Sequence, residues 1–315
     1  MTDFFAKNCL FITGPTASGK TSVAISFAQK IDAEILSLDS MAIYREMNIG
    51  TAKPSAGQLQ MVPHHLLDII PPTEDFSVAQ YVKAARTAAE DILNRGKRPL
   101  FVGGTPLYIK ALLRGIFEGP PANAEIRQTL QMEAKIAAEN GDFLYLHRLL
   151  QEVDRQTAAR LHPNDEKRLV RALEVYRLTG KPICEFQTQF QILPSEKSRA
   201  TVWTLDWPRE ELHQRIQHRV DLMFSAGLVK EVEALLEKYQ TLSRTASQAV
   251  GYREVIAFLK AQNTEIPIPL NHVVEEVKAH SRQLARRQCT WFRSLPECKH
   301  VSLAEFQKEM KLEVE

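Results

Sequence analysis

A glycine-containing turn between an apolar run and a helical run constrains this chain more than any other feature. Residues 14–21 read GPTASGKT, the spacing Gly-x-x-x-x-Gly-Lys-Thr, and they follow the apolar stretch Asn8–Gly14. A loop of this kind turns successive backbone N–H groups inward, and the positive end of the next helix adds to the attraction for a phosphate. The sequence therefore predicts a strand, a phosphate-binding loop and a helix over Lys20–Lys30.

This loop predicts that the protein binds a diphosphate or a triphosphate, but it does not identify the compound that carries the phosphates. Its lysine supplies a mobile positive charge, and the threonine after it can bind a Mg²⁺ ion that bridges two phosphates. The predicted diphosphate-binding residues are Gly14, Pro15, Thr16, Ala17, Ser18, Gly19, Lys20 and Thr21, and Thr21 is also the predicted metal ligand.

Strand-like and helix-like stretches alternate along the first third of the chain. Apolar runs at Glu34–Ser40 and Pro99–Thr105 predict a second and a third strand. Between them Ser77 and Gln80 form a predicted capping box that begins a helix, and a further helix follows the third strand as far as Arg114. This alternation is typical of a parallel sheet that helices cover on both faces.

The helical pattern then continues without a convincing strand from about Pro120 to about Ser195. An apolar strand returns at Ala200–Trp207, and three or four helices follow it. The predicted fold class is therefore α/β, a P-loop NTPase-like parallel sheet flanked by helices, with an all-helical insertion domain. We assign 1–118 and 198–315 to the catalytic core with its C-terminal helices and 119–197 to the insertion.

The bulk composition excludes several classes of protein. The chain has 315 residues, a net charge of +2 and four cysteines without a Cys-x-x-Cys pair. Its apolar runs are shorter than the about 20 residues of a membrane span, and its first residues lack a signal-peptide pattern because their apolar stretch belongs to the first strand. We therefore expect a cytoplasmic protein with no membrane partner, no disulfide framework and no zinc site.

Asp39 is the acidic residue that the strand pattern singles out. An ordinary ATPase or GTPase has a second strand that ends in an aspartate holding the magnesium ion. Here the strand over Pro99–Thr105 ends in two glycines, and LSLDS is the only strand that ends in an aspartate. Because ligands of open α/β sheets bind beyond the carboxyl ends of the strands, Asp39 is a metal-site carboxylate, a base for an incoming nucleophile, or a capping or turn residue.

Longer stretches resemble one family. The phosphate loop, LSLDSMAIYREMNIGTAKP, PHHLLDIIPPTEDFSVAQY and VGGTPLYIKALLRG closely resemble bacterial tRNA dimethylallyltransferases, and the likeness continues through LHPNDEKRLVRALEVYRLTGKP and RQLARRQCTWFR. The resemblance spans nearly the whole chain. It implies transfer of a dimethylallyl group from its diphosphate to the exocyclic N6 amine of the adenosine 3′-adjacent to the anticodon. It also implies that the loop holds this diphosphate instead of ATP.

The resemblance assigns three catalytic residues and implies Mg²⁺ as the cofactor. Asp39 takes the proton of the amine, Thr105 lies at the reaction centre after two glycines, and Arg219 reaches the diphosphate. The sequence alone gives simpler alternatives for two of them. Thr105 is equally placed to cap the next helix, and Arg219 stands on a charged helix where arginines are usually solvated.

A basic stripe near the end of the chain is a candidate RNA surface. Arg282, Arg286 and Arg293 lie close to one helix face, which suits phosphate contacts but also an ordinary solvated helix, and we expect the following Trp291 and Phe292 to be core residues. The resemblance adds three further segments, one of them in the insertion. The predicted tRNA-binding residues are Asp39, Ser40, Met41, Ala42, Lys167, Arg168, Leu169, Val170, Arg171, Gln248, Ala249, Val250, Gly251, Tyr252, Arg253, Arg282 and Arg286.

Four positions need separate comment. Asn48 replaces the aspartate that is frequent in the family, and Ala42 stands where glutamine or leucine is usual; we expect both changes to affect only fine tRNA contacts. The adjacent His64 and His65 invite a metal interpretation. Neighbouring residues of an extended segment point in opposite directions, so we expect a structural or substrate-gating role instead.

Two rival functions remain open at this point. A small-molecule or nucleotide kinase with the same loop predicts ATP turnover and an arginine-rich lid, for which the helical insertion is a candidate. A non-catalytic RNA-binding protein would keep the loop only as a relic. If the resemblance holds, the partners are the anticodon stem-loop of tRNA and dimethylallyl diphosphate, and we expect a monomer.

Overall fold

The computed structural model describes residues 3–116, 119–186, 202–262 and 268–312. Within these residues, six parallel strands form one sheet in the order β3-β2-β4-β1-β5-β6. The predicted α/β class with a parallel sheet is therefore confirmed. The strands are β1 (Leu10–Thr13), β2 (Ala33–Ser37), β3 (His64–His65), β4 (Arg98–Gly103), β5 (Val202–Leu205) and β6 (Cys298–Val301).

The described residues divide into two compact units, Met1–Leu113 with Pro194–Glu315, and Arg114–Leu193. The helices of the second unit are α6 (Ala124–Glu139), α7 (Tyr145–Val153), α8 (Arg155–Ala158), α9 (Glu166–Thr179) and α10 (Ile183–Phe186). The other helices are α1 (Asp3–Asn8), α2 (Lys20–Lys30), α3 (Ala56–Met61), α4 (Val78–Asn94), α5 (Pro106–Arg114), α11 (Arg209–Ser225), α12 (Leu228–Tyr239), α13 (Arg244–Ser247), α14 (Tyr252–Ala261), α15 (Leu270–Arg293) and α16 (Leu303–Leu312).

The sheet is buried on both faces because successive strand residues point to opposite sides. Phe11 packs in one apolar cluster, where its ring stacks on Phe101 at a centroid distance of 5.2 Å. The next residue, Ile12, packs in the other cluster with Phe27 and Trp203. The short strands therefore read as continuous apolar runs, which is how the sequence revealed them.

Local signals at several places predict the structure well. Helix α2 has the predicted bounds, and Ser77 and Gln80 form the capping box that begins α4. The described residues of 119–186 contain helices and no strand. Residues 187–201, which include part of the predicted insertion and the start of the strand predicted at Ala200–Trp207, lie outside the described residues.

The structure differs from the predicted fold at three points. Six described helices, α11 to α16, follow β5, where three or four were predicted. The first residues form helix α1 and not the start of a strand, because Phe5 packs edge-on against Phe101 beneath the sheet. The sequence does not predict the two edge strands, β3 and β6. Only Val301 of β6 and neither residue of β3 is buried, so these strands show no apolar run.

The insertion has a core of its own. Leu130, Leu150 and Leu173 are buried where α6, α7 and α9 pack together. The Glu174 carboxylate is fully buried beside them. Burial alone raises the pKa of this carboxyl, but hydrogen bonds from Arg127 and Arg171 outweigh the effect and hold the pKa below its usual range. Removing either arginine leaves a buried charge less compensated.

The last residue of β4 must be glycine. A Cβ at Gly103 would lie 2.2 Å from the backbone carbonyl oxygen of Leu38, so Gly103→Ala forces apart the ends of β2 and β4. We expect a loss of about 1–3 kcal/mol of stability, measured as a lower melting temperature. Gly57→Ala in α3 is the matched control, since nothing lies within 4 Å of its added Cβ. Equal melting temperatures for the two variants would contradict the packing described here.

Candidate active site

A tight loop joins β1 to α2 where the motif predicts it. Gly14 has a φ of 149°, and a Cβ there would lie 2.9 Å from the Leu205 carbonyl oxygen, so only glycine fits against β5. Ala17 and Gly19 have left-handed φ values of 63° and 83°, which turn the chain into the helix. The first turn of α2 has no acidic residue, and its N–H groups lack intrahelical acceptors. This helix terminus therefore attracts an anion.

The amides of the loop are not equally available to a ligand. The sequence predicts donation from every amide between Thr16 and Thr21, but the structure differs at two positions. The Thr16 N–H donates to the Gln288 side-chain oxygen at 2.9 Å, and the Ser18 N–H donates to the Pro15 carbonyl at 3.3 Å. Among the described residues, the N–H groups of Ala17 and Gly19 and those at the start of α2 have no such acceptor and remain available to an anion.

Lys20 extends across the inside of the loop. Its Nζ donates to the carbonyl oxygens of Gly14 at 3.0 Å and Pro15 at 2.7 Å. Burial, with a smaller contribution from the positive charge of Arg219, lowers the pKa of Lys20 to about 7; the negative charge of Asp39 opposes this shift. The lysine is thus surrounded by carbonyls and a second cation, where a bound diphosphate would favour its protonated form.

This pKa predicts a pH dependence of ligand binding. A diphosphate binds the ammonium form best, and that form is lost as the pH rises through about 7. The binding contribution of Lys20 is therefore complete only well below pH 7 and declines as the pH rises through about 7. Between pH 7 and 9 we expect the Kd for a diphosphate monoester to rise by up to about tenfold per pH unit, measured by calorimetry.

The control for this titration is Lys20→Arg. A guanidinium stays protonated across the range, so its Kd should be nearly independent of pH. The same slope in the parent protein and in Lys20→Arg would assign the titration to another group and contradict the prediction.

Helix α11 holds the outer side of the loop. The Arg215 Nε donates to the Ala17 carbonyl at 2.8 Å, and the Trp207 indole N–H donates to the Ser18 carbonyl at 2.9 Å. The Arg215 guanidinium also lies 4.1 Å from the centre of the Trp207 ring. One turn further on, Arg219 donates to the Thr16 hydroxyl at 3.4 Å. Arg219 is therefore half-buried at the loop and does not lie on a fully solvated face, whereas sequence reasoning missed Trp207 and Arg215.

The adjacent strands β2 and β4 bring Asp39 and Thr105 to the same edge of the sheet. The Asp39 Oδ1 accepts the Met41 N–H at 2.8 Å, which is the local turn contact of an aspartate. Among the described residues its Oδ2 has no hydrogen-bond partner. The Thr105 hydroxyl oxygen accepts the Ser40 N–H at 3.1 Å, and so links the two strand ends.

One cavity of about 480 Å³ contains all three predicted catalytic side chains. Residues Thr16–Thr21 line one part of it, and Asp39, Thr105 and Arg219 line the rest, together with residues of α15. This volume lies in the range of small-molecule sites. Gly14 and Pro15 contribute carbonyl oxygens toward Lys20 instead. The arrangement places a phosphate-binding loop and a carboxylate in a single hollow.

A half-buried carboxylate holds the segment that follows Asp39. The Glu231 carboxylate of α12 accepts the N–H groups of Asn48 at 3.0 Å and Ile49 at 2.8 Å, and it accepts the Tyr252 hydroxyl at 2.6 Å. The Asn48 side-chain oxygen accepts the Lys53 ammonium at 3.1 Å. The asparagine thus has a structural partner inside this segment. Sequence patterns gave no sign of Glu231, because its partners lie far away along the chain.

The predicted tRNA residues of the first unit differ in their surroundings. Met41, Ala42, Ala249 and Val250 line the cavity with Asp39 and Ser40, and Gln248 and Arg286 are exposed. Three consecutive residues of the predicted set make internal contacts. Gly251 and Tyr252 are buried, and Arg253 donates to Glu254 and to His280. Arg282 is half-buried.

Trp291 and Phe292, the aromatic pair at the end of α15, differ in their burial. Phe292 is fully buried, as predicted. The prediction for Trp291 is wrong, because 38% of its surface is exposed. The two residues are consecutive on a helix and so point about 100° apart. Trp291 therefore presents an aromatic face to solvent one turn after Arg286 and Arg287.

Within the insertion, only part of the predicted tRNA segment faces outward. Lys167 and Arg168 are exposed. Leu169 and Val170 are buried in the core of that unit, so the prediction that they contact tRNA is wrong for their side chains. Arg171 donates to the buried Glu174 and to the Pro120 carbonyl, which gives it a structural task.

The two adjacent histidines have separate partners. The His65 Nε2 lies 2.6 Å from a Glu34 oxygen, whereas the His64 Nδ1 donates to the Val62 carbonyl at 2.7 Å and His64 lines the cavity. They therefore do not share an ion. In the described part of the chain no group of three or more His, Cys, Asp or Glu residues is placed to hold a metal. A metal here would depend on oxygen atoms of the ligand.

Comparisons with known proteins agree with this geometry. The family model described as IPP transferase matches residues 42–295, and one described as Isopentenyl transferase matches residues 7–70. A tRNA dimethylallyltransferase of Rhodopirellula baltica is 45% identical over 296 residues, which are 91% of this chain and 86% of that protein. The tRNA dimethylallyltransferase 1 of Trichlorobacter lovleyi is 43% identical over 94% of both chains.

Solved structures give the same result. The full-length tRNA isopentenylpyrophosphate transferase of Bacillus halodurans superposes with a TM-score of 0.68 at 33% identity, over 98% of this chain and 94% of that one. A eukaryotic dimethylallyltransferase solved acting on tRNA superposes with a TM-score of 0.73 at 27% identity, over 94% of this chain and 74% of that one. These matches confirm the resemblance seen in the sequence, and the chain belongs to the IPP transferase family.

Proposed function

We propose that this chain transfers the dimethylallyl group of dimethylallyl diphosphate to the N6 amine of the adenosine 3′-adjacent to the anticodon in tRNA. The observation that carries the proposal is the shared cavity, in which the phosphate loop and the Asp39 carboxylate line one hollow. Kinases also combine a phosphate site with a carboxylate. The match to the IPP transferase family favours transfer to an amine over phosphoryl transfer.

The reaction is a substitution at the allylic carbon. The bond from this carbon to the diphosphate oxygen breaks, the bond to N6 forms, and N6 loses a proton. Adenine N6 is a poor nucleophile because its lone pair is delocalised into the ring, so a positioned base is needed. Asp39 fits this role, since the Met41 N–H fixes its Oδ1 and leaves Oδ2 to accept the proton.

The departing diphosphate gathers negative charge at the loop. Lys20, Arg219 and the first amides of α2 are placed to stabilise that charge. The Thr21 hydroxyl lines the same cavity, and a Mg²⁺ ion bound there and by diphosphate oxygens would neutralise the leaving group. We assign Thr105 to positioning the amine, because its hydroxyl is fixed between the two strand ends.

The adenosine must leave its stack to reach such a cavity, as other enzymes that act on a base require. We propose that the anticodon stem-loop contacts the exposed Arg286, Lys167 and Arg168, together with the half-buried Arg282. The enzyme acts as a cytoplasmic monomer in this proposal. None of the described helices has the length and apolarity that crossing a membrane requires.

The test is a transfer assay with labelled dimethylallyl diphosphate, Mg²⁺ and tRNA from a strain that lacks the modification. A parallel tube contains ATP instead. We expect the label to enter the tRNA at a single adenosine, located by nuclease digestion and mass spectrometry. Formation of ADP with no transfer would favour the kinase, and tight tRNA binding without transfer would favour the non-catalytic protein.

A further inference from the structure

Helix α15 presents a stripe of side chains to the cavity. Val277, Ser281, Leu284 and Gln288 line it, at the three- and four-residue spacings of one helix face. Gln288 stands at the end of this stripe. Neither the phosphate motif nor the proposed transfer chemistry assigns it a task.

Both ends of the Gln288 carboxamide are bonded to backbone. Its Oε1 accepts the Thr16 N–H at 2.9 Å, and its Nε2 donates to the Gly104 carbonyl at 2.7 Å. Thr16 belongs to the phosphate loop, and Gly104 immediately precedes Thr105. A single side chain therefore connects the two parts of the site.

The Gln288 carboxamide bridges the two chain segments that follow β1 and β4, beyond the last paired residues of these strands. The paired residues of β1 and β4 run as far as Thr13 and Gly103, after which the two chains separate. An amide has one donor end and one acceptor end, as a peptide group does, so Gln288 replaces the next hydrogen bonds of the ladder. A Cβ at Gly104 would lie 2.7 Å from the Gln288 Nε2, so this position is shaped for the contact.

We propose that Gln288 is a positioning residue that sets the separation between the diphosphate loop and the Thr105 turn. This inference rests on the proposed function. Transfer requires the allylic carbon, held through its diphosphate at the loop, to meet an amine held near Thr105 and Asp39. Displacing one of these sites from the other by about 1 Å would lower the rate of transfer by roughly 10²-fold. Gln288 contacts neither reacting atom and acts through the backbone on either side.

The test compares Gln288→Met with Gln283→Met. Gln283 is exposed on the same helix and serves as the matched control. Methionine has nearly the length of glutamine but neither hydrogen-bonding group. With both substrates saturating, we expect Gln288→Met to lower the single-turnover rate by roughly 10- to 100-fold. The Kd values for tRNA and for dimethylallyl diphosphate should change by less than about threefold, and Gln283→Met should match the parent.

A second variant keeps the test valid if Gln288→Met unfolds. Gln288→Glu retains the acceptor for Thr16 but opposes the Gly104 carbonyl, and its circular dichroism and melting temperature establish that it is folded. A folded variant with slow transfer at saturation supports the inference. An unchanged saturating rate, or a loss seen only in the Kd for dimethylallyl diphosphate, overturns it.

A double-mutant cycle with Gly104→Ala separates positioning from general stability. If Gln288 acts through Gly104, the double variant Gln288→Met/Gly104→Ala should be about as slow as the slower single variant, whereas independent effects multiply. Multiplying effects would contradict the inference. Absence of transfer by the parent protein would refute the proposed function itself, whereas a parent that transfers and a Gln288→Met variant that matches it would refute only this inference.

Discussion

Asp39→Asn should lower the single-turnover rate constant of transfer by roughly 10²–10⁴, the usual contribution of a positioned general base. Asparagine keeps the size of the side chain, and its oxygen can still accept the Met41 N–H that fixes Oδ1. The variant therefore removes the basic oxygen and preserves the turn. Because the amine is bound before it is deprotonated, the Kd for tRNA should change much less than the rate.

Asp32→Asn is the control for this substitution. Asp32 is an exposed aspartate at the turn after α2, with a left-handed φ of 50° that asparagine also tolerates. It should transfer at the rate of the parent. Equal single-turnover rates for Asp39→Asn and the parent protein would remove Asp39 from the role of base and leave it as a turn residue.

Lys20→Met should weaken the binding of dimethylallyl diphosphate by roughly 10- to 150-fold, the effect of losing one hydrogen bond to a charged group worth about 1.5–3 kcal/mol. The Lys20 ammonium lies inside the loop against the Gly14 and Pro15 carbonyls. A bound diphosphate gives it a stronger acceptor than either. Methionine fills similar space without the charge, so the loop should keep its shape.

Lys30→Met changes an exposed lysine at the far end of the same helix and should leave the Kd unaltered. Calorimetry with dimethylallyl diphosphate in the absence of tRNA measures binding alone. If Lys20→Met bound the diphosphate as tightly as Lys30→Met does, the loop would not be the diphosphate site.

Local patterns in the sequence predict those parts of the fold that local physics determines. Helix α2 begins at the lysine of the loop because the motif requires a helix terminus there. The strand that ends before Asp39 is visible because both of its faces are buried. Helix α1 shows the limit, since the two phenylalanines of its short apolar run fit a helix or a strand equally well, and packing decides.

The residues of the candidate site also include some that the sequence indicates and others that only the packing of remote elements reveals. Asp39 was identified because it follows a strand, whose carboxyl end lies where ligands of open α/β sheets bind, and Thr105 was identified through the family resemblance. Gln288 on α15, Arg215 on α11 and Trp207 in the connection before α11 are remote from the loop in sequence. Their contacts depend on packing that no local pattern reports. The burial of Leu169 and Val170, by contrast, follows from a local helical pattern. They share a helix face with the apolar Leu173, and resemblance marks a segment without telling which side chains face outward.

The central claim is that one cavity receives the diphosphate and the flipped adenine together. A crystal structure with an anticodon stem-loop RNA and an unreactive thio analogue of dimethylallyl diphosphate tests it directly. The account predicts diphosphate oxygens on the first amides of α2 and the adenine N6 within about 3 Å of the Asp39 Oδ2. An adenine bound away from Asp39, or a diphosphate bound outside the loop, would contradict it.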